Sequence, residues 1–133
     1  MQAFLQVVYA GVRDMDPAEQ SFIAQNNIPL VTVQQMRATP NAVVHAMPAS
    51  TEAVYIHLDL DVLDPESWPA LQCPTPGGLL PEELAQVIST IHSHYKVVGT
   101  AITEFQAEIK YKASVLCPVL DALGLSHNIN GCD

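Results

Sequence analysis

Four short apolar runs rich in β-branched residues, at 4–10, 28–33, 53–60 and 97–103, alternate with segments patterned as helices. A parallel strand pair needs a crossover long enough to hold a helix, so this alternation predicts parallel strands. The order reads β-α-β-α-β-α-β-α, a mostly parallel sheet covered by helices on its two faces. Residues 1–133 read as a single domain, with no internal repeat and no linker. The first run starts almost at Met1, and a domain rarely opens without a lead-in, so an upstream segment is expected to belong with it.

Local signals place the helices. Asp16 suits an N-cap and Pro17 a first helical position, predicting a helix to Asn26 or Asn27. Residues 34–50 are ambiguous, broken at Pro40, with a short helix over 42–47. Pro81 opens the next helix, with Glu82 and Glu83 in its first turn and Lys96 near its end, as the helix dipole favours. Leu84, Val87, Ile88, Ile91 and Tyr95 form its apolar stripe. A last helix is predicted over 112–123 with Gly124 as C-cap; Pro118 kinks it or marks its true start.

The chain carries 14 acids against 5 bases, a net charge of −9, which argues against nucleic acid or anionic membrane as a partner, since both require basic patches. No apolar stretch approaches the ~20 residues needed to span a bilayer. Cys73, Cys117 and Cys132 are odd in number and widely spaced, so they predict neither a zinc knuckle nor a disulfide framework. A reducing, cytoplasmic setting follows.

The chemistry concentrates in HLDLDVLDP, residues 57–65, at the end of the third strand. Residues i and i+2 of a strand face one side, so Asp59 and Asp61 are expected to point together, away from Leu58, Leu60 and Val62. Paired carboxylates repel unless a cation sits between them, and hard oxygen ligands suit Mg²⁺, Ca²⁺ or Mn²⁺. His57 shares their parity; a satisfied core histidine is its simpler reading. Acids also follow the other strands: Asp14, Asp16 and Glu19 after the first, Glu104 after the fourth. Ligands in open parallel sheets bind beyond the carboxyl ends of strands. Helix capping by Asp16, and a turn braced by Asp64 before Pro65, are the plain alternatives. Residues 61–80 carry four prolines and Gly77-Gly78 without regular structure, the mark of a functional loop. An EF-hand is excluded, because Leu63, Asp64 and Ala70 fall where a ligand, Gly and Glu are needed. A hydrophobic strand followed by DxD also resembles the haloacid dehalogenase phosphatases, but their motif lies on the first strand.

Taken with PTPGGL at 74–79 and ITEF at 102–105, the DxDxxDP string resembles the arginase and agmatinase family, the ureohydrolases. VVYAGVRDMDPAE at 7–19 is similar to the arginase version of the preceding strand and turn. The resemblance runs from Val7 to Gly124 and is to the C-terminal half of an arginase. It implies a three-layer α/β/α fold, here a partial version, and a two-manganese centre. A hydroxide bridging the metals would attack a guanidinium carbon, releasing urea and an amine. Carried over by position, Asp59 would bridge both metals and Asp61 ligate one. Glu104 would lie against the guanidinium of an arginine-like substrate, and Asp16 and Glu19 near its amino-acid end.

The departures matter as much. The family motifs GGDHS and DAHxD, which supply the remaining ligands, do not occur, nor does the proton-relaying His. Cys73 stands where arginases carry a substrate-contacting Thr. Two readings follow: an arginase-family metallohydrolase whose manganese centre is incomplete in this chain, or a non-catalytic remnant that binds a metal and works by assembly. Half a parallel sheet leaves an exposed apolar face, which favours a homo-oligomer.

Overall fold

A computed structural model describes residues 6–71, 73–106, 108–109 and 111–125. The elements are β1 (Tyr9–Ala10), α1 (Pro17–Gln25), β2 (Leu30–Val31), α2 (Val33–Ala38), α3 (Ala42–Ala46), β3 (Ala53–Asp59), α4 (Pro81–His94), β4 (Lys96–Thr103) and α5 (Cys117–Ala122). Every strand pair is parallel, as the alternation predicts. Among the described residues the strands form two separate ladders, β1 with β2 and β3 with β4, and not one continuous sheet.

Helix starts follow the local chemistry. Asp16 Oδ1 accepts hydrogen bonds from the Ala18 and Glu19 amides at 2.7 and 2.9 Å, and Glu19 Oε2 accepts from the Asp16 amide at 2.9 Å. This reciprocal cap satisfies donors that a helix otherwise leaves open. The same device starts α2: Thr32 Oγ1 accepts from the Gln35 amide and Gln35 Oε1 from the Thr32 amide. α2 occupies part of the segment the sequence leaves ambiguous, and the T-x-x-Q spacing of its cap was the available signal. The last helix is shorter than its pattern. A 3₁₀ turn spans Ala113–Leu116, and α5 begins at Cys117, so Pro118 marks the true start.

One core binds the larger ladder to its helices. Leu58 from β3, Leu84, Val87, Ile88 and Ile91 from α4, and Val119 from α5 are buried together. The 61–80 loop enters the same core through Leu63, Trp68 and Leu79, all at most 1% exposed. Its prolines thus present a folded segment and not a slack connection. Tyr55, His57 and Asp59 are exposed on the opposite face of β3, with Tyr55 62% exposed. That face has no helix upon it among the described residues, which makes this a partial version of the layered α/β fold. Cys73 is a free, exposed thiol. Cys117 is disulfide-bonded, whereas the cysteine spacing predicts no disulfide. This removes the cysteine argument for a reducing compartment. Among the described residues no helix is long and apolar enough to cross a membrane.

Candidate metal and substrate site

The strand carrying HLDLD ends at Asp59, and Leu60–Val62 form a 3₁₀ turn. The expectation that Asp59 and Asp61 share a strand face is therefore corrected. Asp59 caps the turn instead, its Oδ1 accepting from the Asp61 amide at 2.8 Å. The two carboxylates remain near enough for the Asp59 charge to act on Asp61. Glu104 follows the end of β4, which runs beside β3 with Asp59 opposite Thr103. Its backbone is left-handed, at φ +61°. That conformation costs a non-glycine residue about 1–2 kcal/mol, and such strain gathers at functional sites.

Electrostatics ties these acids together. Burial pushes the Asp61 carboxyl above its ordinary value, and the charges of Asp59 and Glu104 push the same way, against Arg13. Asp61 Oδ1 is buried without a hydrogen-bond partner. A desolvated carboxylate oxygen with no donor is costly, and it fits a cation ligand. The donor set is nevertheless partial: among the described residues no three His, Cys, Asp or Glu side chains converge to hold a metal ion. His57 is exposed and meets Thr103 Oγ1 at 3.3 Å through Nε2.

Asp16, Glu19, Asp64 and Glu83 have structural engagements. Asp16 and Glu19 form the cap of α1. Asp64 braces the loop, as its place before Pro65 predicts. Its Oδ1 accepts from the Glu66 amide at 3.0 Å, and its Oδ2 from the Gly77 and Gly78 amides at 2.9 and 3.2 Å. The Glu66 bond first, then those of the two glycines and the nearby Arg13 charge, hold this carboxyl below its ordinary value against burial. On the far side, Arg37 donates through Nε to Glu83 at 2.9 Å and through Nη2 to the Gly78 carbonyl at 2.8 Å. That bond to Arg37 is the main reason the Glu83 carboxyl also lies low.

A pH dependence follows. A depressed folded pKa adds stability that is present above the unfolded pKa and lost as pH falls through the folded one. Asp64 and Glu83 are therefore expected to lower the urea midpoint as pH drops below about 4. Asp64→Asn should weaken the chain at neutral pH and flatten this acid limb. An acid limb as steep in the variant as in the wild type would remove Asp64 as its source.

Arg13 is the site residue that sequence reading missed. It sits in the turn after β1, and no spacing rule marks it, because its partners are main-chain carbonyls, all but that of Gly11 far along the chain. Asp61 O accepts from its Nη2 at 2.8 Å.

Known proteins are similar to this chain over most of its length. The N(omega)-hydroxy-L-arginine amidinohydrolase of Streptomyces lavendulae is 32% identical over 102 residues, 77% of this chain and 35% of that protein. An arginase of Schizosaccharomyces pombe is 27% identical over 105 residues, 74% of this chain and 32% of that protein. The crystal structure of Helicobacter pylori arginase superposes with a TM-score of 0.76 and 27% identity, covering 91% of this chain and 43% of that one. The chain thus spans about a third of the length of these curated relatives. The profile of the arginase family matches residues 2–117, a stretch that holds β1 through β4 and all of the acids described above, and the chain belongs to that family.

Proposed function

We propose that this chain contributes Asp59 and Asp61 to a divalent-metal centre, manganese by family resemblance, that hydrolyses a guanidino compound. The observation that carries the reading is the buried, unpartnered Asp61 Oδ1 beside Asp59 and Glu104. When bound, the metal ions would supply a water-derived nucleophile at neutral pH. The chain's own residues do the rest of what is assigned here. Asp59 and Asp61 hold the metals. Glu104 receives the guanidinium through a charge-assisted contact. Asp16, Glu19 and Cys73 border the other end of the substrate, and Cys73 in place of a hydroxyl residue shifts preference among arginine-like substrates. The names of the relatives, an arginase and a hydroxyarginine amidinohydrolase, support this substrate class.

The partial donor set favours a second reading. The missing ligands come from another chain or another part of the protein, and alone this chain is a metal-binding module without turnover. The uncovered β3–β4 face is where self-association would be expected, and sedimentation measures it directly.

Equilibrium dialysis with Mn²⁺, beside an assay of urea release from arginine and agmatine, separates the readings. Two ions per site with urea release support the complete hydrolase. A single, weaker ion without urea supports the module. Binding that survives the Asp59→Asn, Asp61→Asn double change would sink both.

A further inference from the structure

Arg13 stands where the turn after β1, the acidic turn and the proline-rich loop meet. Its Nη1 donates to the carbonyls of Gly11 at 3.0 Å and Val62 at 3.3 Å. Its Nη2 donates to Asp61 at 2.8 Å, to Thr75, and at the limit of reach to Leu63 at 3.5 Å. Its Nε donates to Pro76 at 3.2 Å. Every acceptor is a main-chain carbonyl.

This choice of partners is informative. Asp61 and Asp64 are both close enough to act on the Arg13 charge. An arginine serving only to neutralise them would take a carboxylate in its fork, the strongest geometry open to it. Arg13 grips the backbone instead, and Asp61 Oδ1 is left buried and without a hydrogen bond. The fork thus fixes where Asp61 sits while keeping its carboxylate open. It also fastens the turn to Thr75 and Pro76, so the loop beside the acids cannot drift away from them.

We propose that Arg13 is a positioning residue for a divalent-cation site: it holds the main chain of Asp61 and leaves the Asp61 carboxylate to the ion. The role rests on the reading of Asp59 and Asp61 as metal ligands given above. Lysine keeps the charge and loses the planar fork, so charge and geometry can be separated.

The test is Mn²⁺ binding to the full chain, followed by electron paramagnetic resonance, for the wild type, Arg13→Lys and Arg13→Met. Both variants should bind about 10-fold to 100-fold more weakly, the range seen when a partner that orients a metal ligand is removed. Amide exchange at Leu63 and Gly77 through Leu79 should quicken in both, with the helical circular dichroism retained. Full rescue by lysine would show that charge alone suffices and would overturn the role. A wild-type chain that binds no Mn²⁺ would overturn the ligand reading beneath it, whereas tight wild-type binding retained in Arg13→Lys would overturn the role of Arg13 alone. Should both variants fail to fold, the wild type still decides. Bound Mn²⁺ should broaden the Arg13 Nε–H resonance, and a sharp, unmoved signal at saturation would reject the placement.

Discussion

Gly78→Ala is expected to be the most damaging small substitution in the chain, costing about 3 kcal/mol or more of stability. A Cβ on Gly78 would lie 2.4 Å from the Leu63 carbonyl carbon and 2.5 Å from both the Leu63 oxygen and the Asp64 nitrogen. All three are backbone atoms, so no rotamer change relieves the clash. The contact exists because 77–79 lies alongside 62–64: Leu79 N donates to Val62 O and Asp64 N to Leu79 O, both at 2.9 Å. Forcing these strands of chain apart would release the Asp64 brace, the Arg37 bond to Gly78 and the burial of Leu63 and Leu79 together. Gly77→Ala provides the control. Gly77 has φ +83°, but a Cβ there would meet nothing within 4 Å. Its cost should be only the left-handed backbone penalty, about 1–2 kcal/mol. Urea denaturation of the two variants decides the matter. Equal losses would mean that backbone conformation, not close approach, is what the paired glycines supply.

Asp61→Asn is expected to act in opposite directions on stability and on metal binding. In the metal-free chain the Asp61 carboxyl is desolvated and faces Asp59 and Glu104, so its folded pKa is raised. A raised carboxyl pKa means that ionisation opposes folding, and the penalty grows as pH climbs above the ordinary carboxylate range. An amide of nearly the same shape removes that penalty. The Asp61 amide bond to Asp59 Oδ1 involves only backbone at position 61 and is kept. The variant should therefore melt a few degrees higher than the wild type at pH 7, and the gain should shrink as pH falls through the raised pKa of Asp61. Its Mn²⁺ affinity should drop by more than about 100-fold, beyond what loss of an outer-shell partner does. Saturating Mn²⁺ should then reverse the order of melting, since only the wild type is stabilised by the ion. A variant less stable than the metal-free wild type would mean that the Asp61 carboxylate has a structural partner and is not held for a cation.

The alternation of apolar runs and helical stripes was sufficient to read parallel strands and the positions of α1, α4 and β3. These signals are local: a capping acid before Pro17, glutamates after Pro81, a β-branched run bounded by polar residues. That acids follow the strands was legible for the same reason: β3 ends at Asp59, and Glu104 follows β4, its parallel neighbour. The parity argument at Asp61 failed because strand periodicity was carried two residues past the point where Asp59 caps the chain and turns it. Arg13 stayed hidden because a side chain that binds backbone carbonyls places no demand on which residues provide them. The Asp64 brace was half visible, as a turn before Pro65, but its reach to Gly77 and Gly78 was not.

The sequence by itself determined what short-range sterics and hydrogen bonding control: the starts of α1 and α4, the parallel strand type, the turn chemistry at PTPGG and the occurrence of acids after strands. Only the tertiary structure decided that the 61–80 loop packs into the core, that Gly78 touches the backbone of Leu63, and that Asp61 loses water on one oxygen. Those outcomes depend on contacts between residues far apart in the chain, where burial and close approach are set by the whole packed assembly and not by any local spacing.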